Sequence, residues 1–155
     1  MIVREYSKSP DSSQQTLSIV IDAPPKKVFE TLATTNGISS WFPELSFKNA
    51  GTILFDMGDG NVEPLEVYEF KSNERLAFDW FSGTITFHLN TYDGKTKLTF
   101  NEVVPETFQN ISRDFAGWDA HMTNIKDVVE TGNVEELDMD AFNEQQNKIE
   151  TELAL

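Results

Sequence analysis

The chain has 155 residues, no cysteine, 12 phenylalanines and a formal net charge of −14 at neutral pH. A chain of this length corresponds to one domain, and it buries about 70% of its unfolded surface without covalent staples. The missing cysteines exclude disulfides, zinc–thiolate sites and cysteine nucleophiles. The negative charge argues against nucleic acids and anionic membranes as partners.

The ends of the chain are polar. Residues 1–14 predict a flexible lead-in, with a short strand over Ile2–Tyr6 as the alternative. Residues 15–132 predict a folded domain, and residues 133–155 an acidic tail. Met1–Gln15 contains no apolar run, and no stretch approaches the roughly 20 apolar residues of a transmembrane helix. Together with the missing cysteines, these features predict a cytoplasmic protein that does not insert into a membrane.

The first regular elements are a strand and a short helix. Alternating apolar residues predict a strand over Thr16–Asp22. Pro25 suits the first turn of the helix that follows, because its missing N–H costs nothing there. Val28 and Leu32 lie four residues apart on one helix face, and Asn36-Gly37 predicts the end of the helix.

The middle of the chain predicts six more strands. The turns between them contain Gly, Asn, Asp or Ser, and such short gaps favour antiparallel neighbours. The predicted strands are Leu45–Lys48, Thr52–Met57, Val62–Phe70, Arg75–Phe81, Thr84–Asn90 and Thr96–Val104.

A long amphipathic helix follows Pro105. Its apolar residues recur at helical spacing from about Ser112 to Thr131, a length of about 30 Å. Gly117 costs about 1 kcal/mol in a helix interior, so we expect the backbone there to approach a strand closely. The tail predicts one more amphipathic helix over Met139–Leu153. This order of elements predicts an α+β helix-grip fold, in which a curved antiparallel sheet wraps around the long C-terminal helix.

The order and spacing of several short motifs match a known superfamily. The motifs are Ile19–Pro24, Val28-Phe29, Trp41-Phe42, Arg75–Trp80, Lys97–Phe100 and Gly117-Trp118 with His121-Met122. Over about residues 15–132 the chain resembles the START-like (SRPBCC, Bet v-like) superfamily. It is most similar to the branch named for the activator of heat-shock protein 90 ATPase. The resemblance implies the helix-grip fold and an inner cavity for lipids, polyketides, hormones or flavonoid-like molecules. One member of the branch stimulates the chaperone ATPase.

Aromatic residues are the main candidates for a binding site. They would suit a flat apolar ligand if a cavity of about 300–1,000 Å³ lies between sheet and helix; the alternative is an ordinary packed core. The predicted lining residues are Trp41, Phe42, Phe55, Phe78, Trp80, Phe87, Trp118, His121 and Met122.

Three charged residues are candidate polar anchors. Glu102 has the strand parity of Leu98 and Phe100, so it points inward and needs a partner. Arg75 and Arg113 are candidate partners, and either suits a ligand carboxylate. His121 borders the apolar stripe of the long helix. One interpretation is a group that donates a hydrogen bond to a ligand or acts as a base, and the other is a purely structural histidine.

Catalytic, metal and cofactor sites are not predicted. Neither histidine adjoins a serine elbow, and no GxxxxGK loop is present. Asp138-Met139-Asp140 lacks the later glycine and glutamate of a calcium loop.

Three functions fit these features. The first is a non-catalytic module that binds a small apolar or aromatic molecule, such as a lipid, polyketide or flavonoid. The second, implied by the resemblance, is a co-chaperone-like module that binds a protein. The third is an enzyme of the cyclase or hydratase type. Only His121, Glu102 and the arginines support this interpretation.

Overall fold

The computed structural model describes all residues from Met1 to Leu155 and forms one layer of strands and one of helices. The helices are α1 (Pro25–Ala33), α2 (Thr35–Ser39), α3 (Ile111–Thr131) and α4 (Met139–Glu152). The strands are β1 (Val3–Lys8), β2 (Ser12–Ile21), β3 (Leu45–Asn49), β4 (Thr52–Asp56), β5 (Val62–Lys71), β6 (Arg75–Trp80), β7 (Gly83–Tyr92) and β8 (Lys95–Pro105).

The eight strands form a single curved antiparallel sheet around α3. Their spatial order is β1-β2-β8-β7-β6-β5-β4-β3, so only the β2–β8 pairing joins strands that are distant in sequence. Alternate residues of β2, β7 and β8 are buried, because one face of the sheet packs on the helix. Leu17 of β2 faces Phe100 of β8, and Phe100 faces Phe87 of β7. The predicted helix-grip class is confirmed.

The first helical segment differs from its prediction. It begins at Pro25 as expected but ends at Ala33, and Thr34 then adopts extended geometry. The Thr34 hydroxyl oxygen accepts the Gly37 N–H at 3.0 Å and caps α2. A Cβ on Gly37 would lie 2.1 Å from the Glu30 carbonyl oxygen. Gly37 therefore permits α2 to lie against α1, and it does not end a helix as its position suggested.

The N-terminal residues form an edge strand where a flexible lead-in was expected. β1 pairs with β2 over its whole length, and β2 begins at Ser12, four residues before the predicted start. Arg4 also donates to both carboxylate oxygens of Asp119 on α3, at 2.6 and 3.1 Å. β1 corresponds to the alternative of a short strand over Ile2–Tyr6, and Ser12–Gln15 lengthen β2 inside the sheet.

The C-terminal tail also belongs to the fold. Asp138 caps α4 by accepting the N–H groups of Asp140 and Ala141. Ile149 and Leu153 are buried in a second apolar cluster together with Phe115 of α3. Only residues 133–138, which we call the linker, lack regular structure between α3 and α4. No helix in the molecule is both long and apolar enough to cross a bilayer.

The expected close approach at Gly117 is wrong. A Cβ built on Gly117 meets no atom within 4 Å outside its own helix. The glycine thus lowers the stability of α3 without providing space for a neighbouring segment.

Replacing Gly117 should therefore stabilise the protein. Gly117→Ala is expected to raise the free energy of unfolding by about 0.5–1 kcal/mol, because alanine has the higher helix propensity. Chemical denaturation measures this change. Gly37→Ala is the matched control and should lower the stability, because its Cβ overlaps backbone atoms of α1. A lower stability for Gly117→Ala would contradict the assignment of open space.

Candidate functional site

Trp118 is the centre of an aromatic cluster between α3 and the sheet. The side chain is 1% exposed. Its ring centroid lies 5.1 Å from those of Trp80 and Phe100 and 6.3 Å from that of Phe87. The rings of Trp41 and Phe42 lie 6.1 and 5.6 Å away. These distances are those of directly packed aromatic side chains.

The predicted cavity lining divides into two groups. Phe78, Phe87, Trp118 and Met122 are at most 1% exposed and line none of the four principal cavities. Trp80 packs with them, at 6% exposure. Around Trp118 the space between sheet and helix is thus filled by side chains, where the sequence suggested a hollow.

The remaining predicted residues surround an open groove beside the middle of α3. We call it the mouth groove; its volume is about 820 Å³. It is formed by the turn after α2, the end of β4, the middle of α3 and the linker. Its lining residues are Ser40, Trp41, Phe42, Pro43, Glu44, Phe55, Asp56, Met57, Gly58, His121, Asn124, Val134, Glu135 and Leu137.

The floor of the mouth groove is a fixed layer of rings. The Trp41 indole N–H donates to the Thr31 carbonyl oxygen at 2.9 Å, which holds the ring against α1. Phe42 packs edge-on against Phe55 and Trp80, with centroids 5.7 and 5.9 Å away. The layer is rigid because each ring has ring neighbours within the packed cluster.

His121 is a polar group within this layer. Its imidazole stacks on Phe42, with centroids 4.2 Å apart and planes 20° apart, and the ring is partly exposed at the groove. Its Nδ1 atom is buried and has no hydrogen-bond partner. Burial lowers the pKa of His121 to about 4, although the Trp41 backbone opposes the shift. The imidazole is therefore neutral at physiological pH.

Glu102 belongs to a separate, closed site. It is fully buried and accepts the Gln15 amide N–H at 3.0 Å. Its other oxygen adjoins the carboxyl group of Asp114, whose Oδ1 accepts the Trp80 indole N–H at 2.9 Å. Neither arginine is its partner, so that expectation is wrong. Sequence reasoning missed Gln15 and Asp114, which lie on other elements.

The two carboxyl groups share a proton. Burial raises the pKa of Glu102 well above its usual value, and the Asp114 carboxyl raises it further. Burial also raises the pKa of Asp114, while hydrogen bonds with Glu102 and Trp80 oppose the rise. Glu102 Oε2 and Asp114 Oδ2 have no other partner. A proton on Glu102 joins these two oxygens and avoids two adjacent buried charges.

The two predicted arginine anchors lie elsewhere. Arg75 is near Glu69, with Nε 2.7 Å from the carboxylate, although the contact lacks hydrogen-bond geometry. The Arg113 guanidinium lies over the Phe142 ring of α4, 5.5 Å from its centroid. Neither arginine lines the mouth groove, so a ligand there meets no guanidinium group.

Another cleft, of about 400 Å³, lies between α3, α4 and the linker. Its walls include six carboxylate side chains, which makes it unsuitable for an apolar ligand. These are Asp119, Asp127, Glu135, Glu136, Asp138 and Glu144. No three His, Asp or Glu side chains of the molecule are grouped in a way that could hold a metal ion.

The groove and the fold can be compared with known proteins. The model of the family "Activator of Hsp90 ATPase homolog 1-like protein" matches residues 22–130, which is most of the chain. The chain belongs to this family. The membership confirms the START-like resemblance of the sequence motifs. No curated protein sequence matches the chain.

Solved structures show how widely the fold is shared. EF2215 from Enterococcus faecalis, a conserved protein of unknown function, has a TM-score of 0.88 at 25% identity, over 97% of this chain and 90% of that chain. The Aha1 dimer from Colwellia psychrerythraea has a TM-score of 0.65 at 24% identity, over 77% of this chain and 97% of that chain. CalU16 from Micromonospora echinospora has a TM-score of 0.75 at 15% identity, over 97% of each chain. The latter two likenesses concern the fold alone.

The shared proton makes stability depend on pH. Folded Glu102 has a raised pKa, so unfolding releases its proton between its ordinary pKa of about 4.5 and the raised value. The free energy of unfolding therefore falls as pH rises from about 4.5 to the raised pKa. Glu102→Gln keeps both hydrogen bonds and removes the proton. As pH rises through this window, the free energy of unfolding of the variant should increase relative to that of the native protein by up to about 1.4 kcal/mol per pH unit.

Denaturation with urea at several pH values from 5 to 9 measures this difference. Glu5→Gln, on the exposed outer side of β1, is the control and should follow the native protein at every pH. Parallel curves for Glu102→Gln and the native protein would show that the pair does not hold an extra proton.

Proposed function

We propose that the domain binds a small apolar or aromatic molecule in the mouth groove. The supporting observation is an open groove of about 820 Å³ with Trp41, Phe42 and Phe55 among its walls. This volume is within the range of sites for drug-sized ligands. A ring inserted among these side chains would bury apolar surface at about 25 cal/mol per Å².

The position of this site is nearer the surface than the sequence suggested. The interior around Trp118 is packed, so the ligand enters beside the helix and lies on the ring layer. Linker residues then cover it from the other side, because Val134 and Leu137 line the same groove. These two side chains are 40% and 51% exposed, so a bound ligand can bury further apolar surface on them.

His121 supplies the polar feature of this site. Its neutral imidazole has an unsatisfied buried nitrogen, and such an atom costs about 1–3 kcal/mol. A ligand hydroxyl that reaches Nδ1 after a small rotation of the ring recovers part of this free energy. The groove thus favours an apolar molecule with at least one hydrogen-bond donor.

An enzymatic role has weaker support. His121 and Asp114 are separated by two helical turns, about 10 Å along the axis of α3. Glu102 lies with Asp114 in the closed core and lines no principal cavity. The candidate acid and base therefore do not meet at one substrate position.

Tryptophan fluorescence tests the proposed binding, because Trp41 lines the groove. Titration with 1-naphthalenemethanol, a fatty acid and a flavonoid should give a saturable change with at least one of them. Leu137→Ser removes an exposed apolar wall and should weaken binding about three- to tenfold. Val3→Ser, an equally exposed change on β1, should have no effect. No saturable change with any probe would refute the proposal.

A co-chaperone role is the second candidate. It is supported by family membership and by the exposed apolar side chains of Met57, Val134 and Leu137 around the groove. In this case the protein should raise the ATPase rate of heat-shock protein 90 from the same source. Met57→Ser should reduce that stimulation, and Val3→Ser should not. An unchanged ATPase rate excludes this role.

A further inference from the structure

The mouth groove has an uncompensated negative rim. Glu44, Asp56 and Glu135 line it, and no lysine or arginine does. None of the three carboxylates takes part in an ion pair. All three side chains are exposed, so they surround the opening without being neutralised by the protein.

The backbones of two of these residues, Glu44 and Asp56, are hydrogen-bonded to each other. The Asp56 N–H donates to the Glu44 carbonyl oxygen at 2.9 Å, at the point where β4 ends beside the turn after α2. Asp56 Oδ1 in turn accepts the Gly58 N–H at 2.9 Å, which fixes the side chain. The negative charge is therefore a fixed feature of one side of the groove.

The ring layer adds to the same preference. Phe55 is partly exposed at the groove, and an aromatic face attracts cations, whereas Trp41 and Phe42 are only 3% and 8% exposed. His121 adds no opposing charge, because its imidazole is neutral at physiological pH. The net charge of −14 also repels anions from the whole surface.

We infer that the ligand of the mouth groove is a cationic amphiphile, with an aromatic or apolar body and an amine at the rim. This inference rests on the proposed function and specifies its ligand class. The body lies on the ring layer, and the ammonium group lies between Glu44 and Asp56. Fatty acids and other carboxylates face repulsion at the same rim and bind poorly.

A set of three probes with one ring system isolates the charge. These are 1-(aminomethyl)naphthalene, 1-naphthalenemethanol and 1-naphthoic acid, compared by tryptophan fluorescence at low salt. We expect the amine to bind at least about fivefold more tightly than the alcohol, since one nearby carboxylate supplies about that factor. The acid should bind most weakly. Of the three probes, only the amine should lose affinity when salt is added.

Rim variants separate a local effect from the overall charge. Glu44→Gln and Asp56→Asn should each weaken binding of the amine about threefold or more. Neither variant should change the affinity for the alcohol. Glu74→Gln changes the net charge equally but lies in the β5–β6 turn, near the start of β6 and away from the groove, and should have no effect.

The outcomes distinguish this inference from the proposed function. If the alcohol binds as tightly as the amine, or the acid binds more tightly, the groove binds ligands but the cationic class is wrong. If Glu74→Gln weakens binding of the amine as much as the rim variants do, the preference for a cation comes from the overall charge and the inference fails. If none of the three probes binds but the fatty acid or the flavonoid does, the cationic class is wrong; if no probe of either set binds, the proposed function itself fails.

Discussion

The packing of Trp118 against the sheet is the contact on which the architecture depends. The indole lies among rings from β6, β7, β8 and the turn after α2, all with centroids within 6.3 Å. This contact sets the distance of α3 from the sheet and closes the interior at that level. The mouth groove, where we propose the ligand site, lies beside this packed region, towards His121 and the linker.

The buried acid pair connects this packing to the groove. A carboxyl group without a partner is costly to bury, and Glu102 avoids the cost by holding a proton against Asp114. Asp114 also accepts the indole N–H of Trp80, and the ring of Trp80 lies 5.5 Å from Phe55 in the groove. The proton, the indole and the ring layer therefore form one continuous set of contacts.

Sequence periodicity predicted the faces of the elements but not the residues that lie opposite them. The parity of β8 correctly directs Glu102 inward, yet it contains no information about registers between strands. Glu102 is opposite Ile85, whereas Arg75 is opposite His88, which in turn is opposite Thr99. Arg75 is thus three residues from Glu102 along β8, and it alternates with the buried Leu76, so it lies on the other face of the sheet. The acid partner Asp114 could be suspected only from its spacing of four residues before Trp118.

Local signals also failed where tertiary packing decides the outcome. Gly37 has the sequence context of a helix end but lies inside α2 in contact with α1. Gly117 suggested a close approach that the structure does not contain. Both errors have one cause, since a glycine indicates that the backbone has freedom without indicating whether a neighbour uses it.

Three of the 14 lining residues of the mouth groove lie outside the part of the chain that the family model matches. The family match ends at residue 130, and the linker that follows contributes Val134, Glu135 and Leu137 to the lining. The linker is held in place because α4 is anchored to α3 through Ile149 and Leu153. One wall of the site and one of its three rim charges thus depend on the packing of a segment that family membership does not describe. The linker covers the ring layer from outside the residues that the family model matches, so membership of the family does not define this wall of the groove.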